Sequence, residues 1–147
     1  MGPHSALPAK GRILAIDPGE RRIGVAAADL RLRVAIPLRT IEGGPGAAEA
    51  VARLVEEEGA QALVVGLPLS LSGALGAQAQ RAQALAGALT ERLSVPVLTW
   101  DERLTSAEAR RRLSAEGRRP NKADVDALAA AIILQAYLDS QRQPASG

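Results

Sequence analysis

Between Arg12 and Ile41 three short apolar runs follow one another, Arg12 to Asp17, Ile23 to Asp29 and about Val34 to Ile41, with only turn-length segments between them. A parallel pair of strands needs a crossover of roughly a dozen residues or more, so strands joined this tightly are antiparallel neighbours. The period then changes. Ala48, Val51, Ala52 and Val55 have helical spacing within Ala47 to Glu58, and Gly59 supplies a stop. "QALVVGLP" reads as a short buried strand, Ala77 to Leu93 as a long helix, and "VPVLTWDE" as a strand of β-branched residues. Thr105 and Glu108 have capping-box spacing and open a helix to about Ser114, which Gly117 and Pro120 end. Asn121 can cap a last helix from about Lys122 to Asp139. Three strands, helix, strand, helix, strand and two helices make an α/β layer fold with a mixed five-stranded sheet, the first three strands antiparallel.

Composition narrows the chemistry. The 147 residues suit one domain, expected over 12–140, with 1–11 as a disordered leader and 141–147 as a flexible tail. There is no cysteine, and His4, the only histidine, lies in the leader. Disulfides, thiolate metal sites and histidine catalysis are therefore set aside. No apolar stretch approaches the roughly 18–20 residues of a membrane span, and the expected location is cytoplasmic, with no membrane partner. Aromatics are 1% of the chain, which argues against a base-stacking platform.

Carboxylates recur where sites form in open α/β sheets, beyond the carboxyl ends of strands. Asp17 ends the first strand, and Asp101 and Glu102 end the last. Taken singly, each has a plain explanation: Asp before Pro-Gly is good turn chemistry, and Asp101 and Glu102 suit a solvated loop pairing with Arg103. Asp124 and Asp126 lie in the first turns of the final helix, where acid complements the helix dipole. A stripe of Val125, Ala129, Ile132 and Ala136 puts Asp126 on one flank and Asp124 on the other. They cannot share a site, and periodicity does not say which one faces the sheet.

The net charge is only +2, but cations crowd into "RRRLSAEGRRPNK", which carries Arg118, Arg119 and Lys122. Such a cluster suits either a solvated helix end or a phosphate-binding surface. Gly19 and Gly24 permit close backbone approach to a phosphate, or simply a hairpin. Arg21, Arg22 and Arg103 can contact phosphate oxygens or neutralise the acidic edge.

The segments "AIDPGERRIGVA", "VVGLPLSLSG", "DERLTSAEARRRL" and "NKADVDALAAAIIL", in this order, resemble the successive motifs of the YqgF/RuvX family across roughly Arg12 to Leu138. That resemblance implies an RNase H-like fold and a metal-dependent nuclease, acting in Holliday junction resolution or in 5′-end processing of pre-16S rRNA. Carried over by position, it implies Asp17, Asp101, Glu102 and Asp126 as catalytic acids. Asp17, Glu102 and Asp126 would be metal ligands, with Asp17 bridging; of the adjacent pair Glu102 is favoured as the direct ligand, and Asp101 stays a candidate because strand alternation near the end of the strand does not choose. The resemblance selects Asp126 over Asp124.

Hard cations such as Mg²⁺ or Mn²⁺ prefer carboxylate and water oxygens. Two of them about 3.5–4 Å apart can activate a nucleophile and stabilise a leaving oxygen, which explains a site built on acids alone. The partner is then a nucleic acid, either a four-way DNA junction or precursor rRNA. A junction-cutting enzyme favours a homodimer whose two-fold axis matches its substrate. Two other readings stay open: a non-catalytic nucleic-acid-binding domain that keeps the fold, and an actin-like ATPase-type phosphate-binding domain suggested by "DPGERRIGVA".

Overall fold

The structure is a computed structural model that describes residues 7–70, 72–105 and 125–141. Three strands come first: β1 (Arg12–Pro18), β2 (Arg22–Asp29) and β3 (Ala35–Glu42). Helix α1 (Ala47–Glu58), strand β4 (Ala60–Leu67), helix α2 (Ala77–Arg92) and strand β5 (Val97–Asp101) follow. A single 3₁₀ turn, Glu102–Leu104, continues from β5, and α3 (Val125–Ser140) is the last described helix. The helix expected to open at Thr105 and Glu108 lies outside the described residues, as do Arg118, Arg119, Lys122 and Asp124.

The sheet runs β3-β2-β1-β4-β5. β1 pairs antiparallel with β2, β2 antiparallel with β3, β1 parallel with β4, and β4 parallel with β5. The mixed five-stranded sheet with three antiparallel strands first is thus present. Strand alternation divides the core into two layers. Ile13 and Ala15 of β1, Ala26 and Ala28 of β2, and Ala62 and Val64 of β4 face α3, meeting Ala130, Ala131 and Leu134. Leu14, Ile16, Val25, Leu63 and Val65 face the other way, toward Val51, Leu54 and Val55 of α1 and Leu89 of α2.

Small residues on both sides of the α3 layer let the helix lie close to the sheet. Gln135, 1% exposed, ties it to the start of β3. Its Oε1 accepts from the Ala35 amide (2.9 Å), and its Nε2 donates to the Arg33 carbonyl (3.2 Å) and to Asp139 (3.1 Å). A buried amide group is tolerated because these contacts satisfy it.

Two features of the packing lie outside what the sequence pattern specified. The stripe of Val125, Ala129, Ile132 and Ala136 is not the centre of the buried face of α3. Val125 is 52% exposed, while Ala127, Ala130, Ala131, Leu134 and Leu138 are buried. Almost every residue of this helix is apolar, so periodicity alone had little contrast with which to place the stripe. Ahead of β1, Leu7 packs against the α3-side core and the Gly11 carbonyl accepts from the Leu30 amide, so core contacts begin before Arg12. Among the described residues no helix is long and apolar enough to cross a membrane.

Candidate active site at the carboxyl ends of the parallel strands

Asp17 continues the face of β1 that carries Ile13 and Ala15, so its side chain lies on the α3 side of the sheet. Glu102 follows Leu98 and Trp100, both packed against the α3-side core. The two carboxyls line one cavity of about 150 Å³ with Thr105, Ala129, Ile132 and Ile133. Ala129 and Ile132 of α3 border this acidic recess, Ile132 also packing against the α3-side core. Trp100 forms part of its support. It meets Tyr137 edge-to-face, with ring centroids 6.0 Å apart, and its indole Nε1 donates to Thr105 Oγ1 (3.4 Å).

Burial pushes the Glu102 carboxyl up to about 8, helped by the charge of Asp17, by the hydrogen bond between them, and by Asp101. Asp17 is raised too, first by burial; its hydrogen bond with Glu102 opposes this, and the charge of Asp126 adds to it. The shared proton therefore rests on Glu102, which donates to Asp17, and the two titrate as a coupled pair. Glu102 Oε2 is buried without a hydrogen-bond partner among the described residues.

Asp101 is placed differently. Its carboxylate accepts from the Arg103 backbone amide (2.9 Å), from Arg103 Nε (3.0 Å) and from Arg103 Nη2 (2.6 Å), capping the 3₁₀ turn that presents Glu102. These hydrogen bonds hold Asp101 below the usual carboxylate range. Adjacent in sequence, the two acids point apart because β5 alternates up to its last residue.

Asp126, in the first turn of α3, lies on the sheet side near Asp17, but its Oδ2 accepts from Arg22 Nε at 2.7 Å. Among the described residues no three acids are grouped as a ready-made ligand set. The Arg22–Asp126 pair is exposed, with side chains 67% and 30% accessible, and such pairs are worth only about 0.2–1 kcal/mol. It is a contact that a stronger partner for Asp126 can displace.

Arg21 is exposed beside Arg22. Gly19 closes the β1–β2 turn, its amide donating to the Arg22 carbonyl at 2.9 Å. A β-carbon on Gly19 would stand 2.6 Å from that carbonyl oxygen. Gly24 lies opposite Asp17 in the β1–β2 ladder, and the backbone of α3 rests against it. Gly66, near the end of β4, carries no sequence signal of its own. It follows Ala62 and Val64 on the α3-facing side of β4, one residue beyond Val65, which pairs with Ile16 just ahead of Asp17.

An α/β protein with this strand order and acids at this edge has the RNase H-like architecture. Among solved structures, RuvC from Thermus thermophilus is similar at a TM-score of 0.59 and 15% identity, covering 88% of this chain and 95% of that one. The same organism's RuvC in complex with a Holliday junction substrate gives 0.62 at 16% identity, covering 89% and 95%. At that identity the likeness concerns the fold.

The chain belongs to the RuvX family, described as Holliday junction resolvase, whose profile matches residues 11–140. A relative from Chloroflexus aurantiacus, named "Putative pre-16S rRNA nuclease", is 49% identical over 134 residues, 88% of each chain. Another so named, from Synechococcus elongatus, is 44% identical over 136 residues, 89% of this chain and 91% of its own.

Proposed function

We propose that this protein is a divalent-metal-dependent nuclease of the cytoplasm that hydrolyses phosphodiester bonds of structured nucleic acid. The carrying observation is the buried, proton-sharing pair Asp17 and Glu102, whose Glu102 Oε2 lacks a partner among the described residues, with the charge of Asp126 close enough to act on Asp17. A buried polar atom left unpaired is costly, and like charges crowded in a recess repel. Both costs are relieved by a cation, and a set of oxygen donors without sulfur or nitrogen suits Mg²⁺ or Mn²⁺.

Asp17, Glu102 and Asp126 would hold the metal, which supplies a polarised water and charge stabilisation at the phosphate when bound. For this the chain must do three things: release the proton held on Glu102, turn Asp126 from Arg22 toward Asp17, and keep Asp101 on Arg103 so that the turn carrying Glu102 stays closed. Arg22, once parted from Asp126, is placed to take a phosphate oxygen beside the acids. Arg21 and, outside the described residues, Arg118, Arg119 and Lys122 would extend a sequence-independent backbone grip.

The relatives' name points to the 5′ end of pre-16S rRNA as substrate, and the family description points to the four-way DNA junction. The deciding experiment offers a labelled junction and a 5′-extended 16S rRNA fragment, each with Mg²⁺ or Mn²⁺, to wild type, Asp17→Asn and Asp126→Asn. Cleavage of one substrate that vanishes in both variants while binding persists is the expected result and names the substrate. Binding without cleavage by wild type under either metal would instead favour a non-catalytic binding domain. Junction cleavage should come with a dimer in solution; RNA cleavage needs none.

A further inference from the structure

Two glycines flank Asp17 on the sheet face that carries α3. On one side Gly24 of β2 is registered opposite Asp17. A β-carbon there would overlap the carbonyl group of Asp126 and stand 2.9 Å from the Ala127 amide nitrogen. On the other side Ile16 pairs with Val65, so the next residue of β4, Gly66, comes level with Asp17. A β-carbon on Gly66 would stand 2.7 Å from Ile133 Cδ1 and 2.9 Å from Glu102 Oε2. Atoms do not pack at these separations, so either substitution forces something to move.

What moves differs between the two. At Gly24 the obstacle is main chain, and the first turn of α3 would have to back away, taking Asp126 with it. At Gly66 the obstacles are side-chain ends, and the carboxylate of Glu102 is one of them. Close packing of α3 by itself does not require Gly24. Farther along β2, Ala26 and Ala28 face the same helix and carry β-carbons without difficulty. The approach is closest only where β2 lies opposite Asp17.

We propose that Gly24 and Gly66 are positioning residues that set how near Asp126 and Glu102 stand to Asp17, and so fit the three acids to a divalent cation. The inference rests on the metal-nuclease reading above. Neither glycine touches substrate; each acts through the acid beside it.

The test uses the full chain. In metal-free wild type, nuclear Overhauser contacts should join a Gly24 α-proton to the Ala127 amide. Mn²⁺ binding, followed by electron paramagnetic resonance of the free ion, should weaken at least about tenfold in Gly24→Ala, the size of loss that follows when a ligand's support is removed. Asp126→Glu alone should also weaken binding. Combined with Gly24→Ala it should recover part of the loss, because one added methylene restores the reach of a displaced helix. A purely packing role lowers the melting temperature and gives no such rescue.

Gly66→Ala is made together with Ile133→Val, which leaves Glu102 as the remaining obstacle, and should lose Mn²⁺ affinity while staying folded by circular dichroism. Unchanged Mn²⁺ affinity in both glycine variants, or no Gly24–Ala127 contact in wild type, overturns the proposal. If Gly24→Ala does not fold, the Gly66 arm decides alone, and wild-type affinity there overturns it. If wild type itself fails to bind Mn²⁺, the metal reading falls and the positioning role with it. Binding in wild type with no change in the variants sinks the positioning role alone.

Discussion

Glu102 reaches Asp17 across an intervening strand, β4, which at that level carries Gly66 and no side chain. The consequence is a carboxyl pair that shares a proton, with Glu102 raised to about 8. A cation must expel that proton to bind, so affinity for Mn²⁺ should rise about tenfold per pH unit below pH 8 and flatten above it. Isothermal titration calorimetry between pH 6 and 9, in buffers of differing ionisation enthalpy, would also count the proton released. Glu102→Gln should remove both the slope and the proton.

The same pair makes a stability prediction. In the unfolded chain Glu102 has its ordinary value of 4.5, so between about pH 4.5 and 8 the folded state holds a proton that the unfolded state has lost. Stability contributed by this group is greatest below pH 4.5, falls as pH rises toward 8, and is level above. Glu102→Gln, which cannot ionise, should therefore melt higher than wild type at pH 8.5 without metal and show little difference near pH 4.5. Calorimetric scans at the two pH values check this.

Asp101 and Glu102 should separate sharply on substitution. Glu102→Gln removes a ligand and should lower cleavage by at least about a hundredfold, more than the 10- to 100-fold typical of groups that merely support ligands. Asp101→Asn keeps much of the cap on the 3₁₀ turn and should fall within that supporting range. Single-turnover cleavage rates of the two variants decide the assignment.

Arg22→Ala should leave the fold nearly untouched, since its exposed pair with Asp126 is worth about 1 kcal/mol or less. Its loss should appear instead in nucleic-acid binding, as weaker affinity and a salt dependence shallower by about 0.7–0.9 in log–log slope, the share of one phosphate contact. Fluorescence anisotropy across a salt series measures both.

Gln135→Leu leaves the Ala35 amide and the Arg33 carbonyl without this partner inside the protein. Each unsatisfied group costs about 1–3 kcal/mol. With about 2–4 °C lost per kcal/mol at this chain length, the melting temperature should drop by several degrees or more. Because Gln135 sits far along α3 from Asp126, Mn²⁺ affinity below the transition should be unchanged.

Much of the molecule is written locally. The tight spacing of the first three apolar runs requires antiparallel strands. Gly59 ends α1 in the left-handed conformation its position implies, with φ 64°. The acid positions at strand ends, with four ordered family motifs, mark Asp17, Asp101, Glu102 and Asp126 as site candidates. These signals survive in sequence because turn lengths, caps and periodicity act between residues close in the chain.

The distances between acids were not legible, since they depend on elements a hundred residues apart. Only the tertiary structure decided that Glu102 turns to Asp17 while Asp101 turns to Arg103, that Arg22 holds Asp126, and which side of the nearly all-apolar α3 meets the sheet. It also gave Gly24 and Gly66 their meaning, because a missing β-carbon has no pattern of its own and acquires one only when another part of the chain comes to occupy its space.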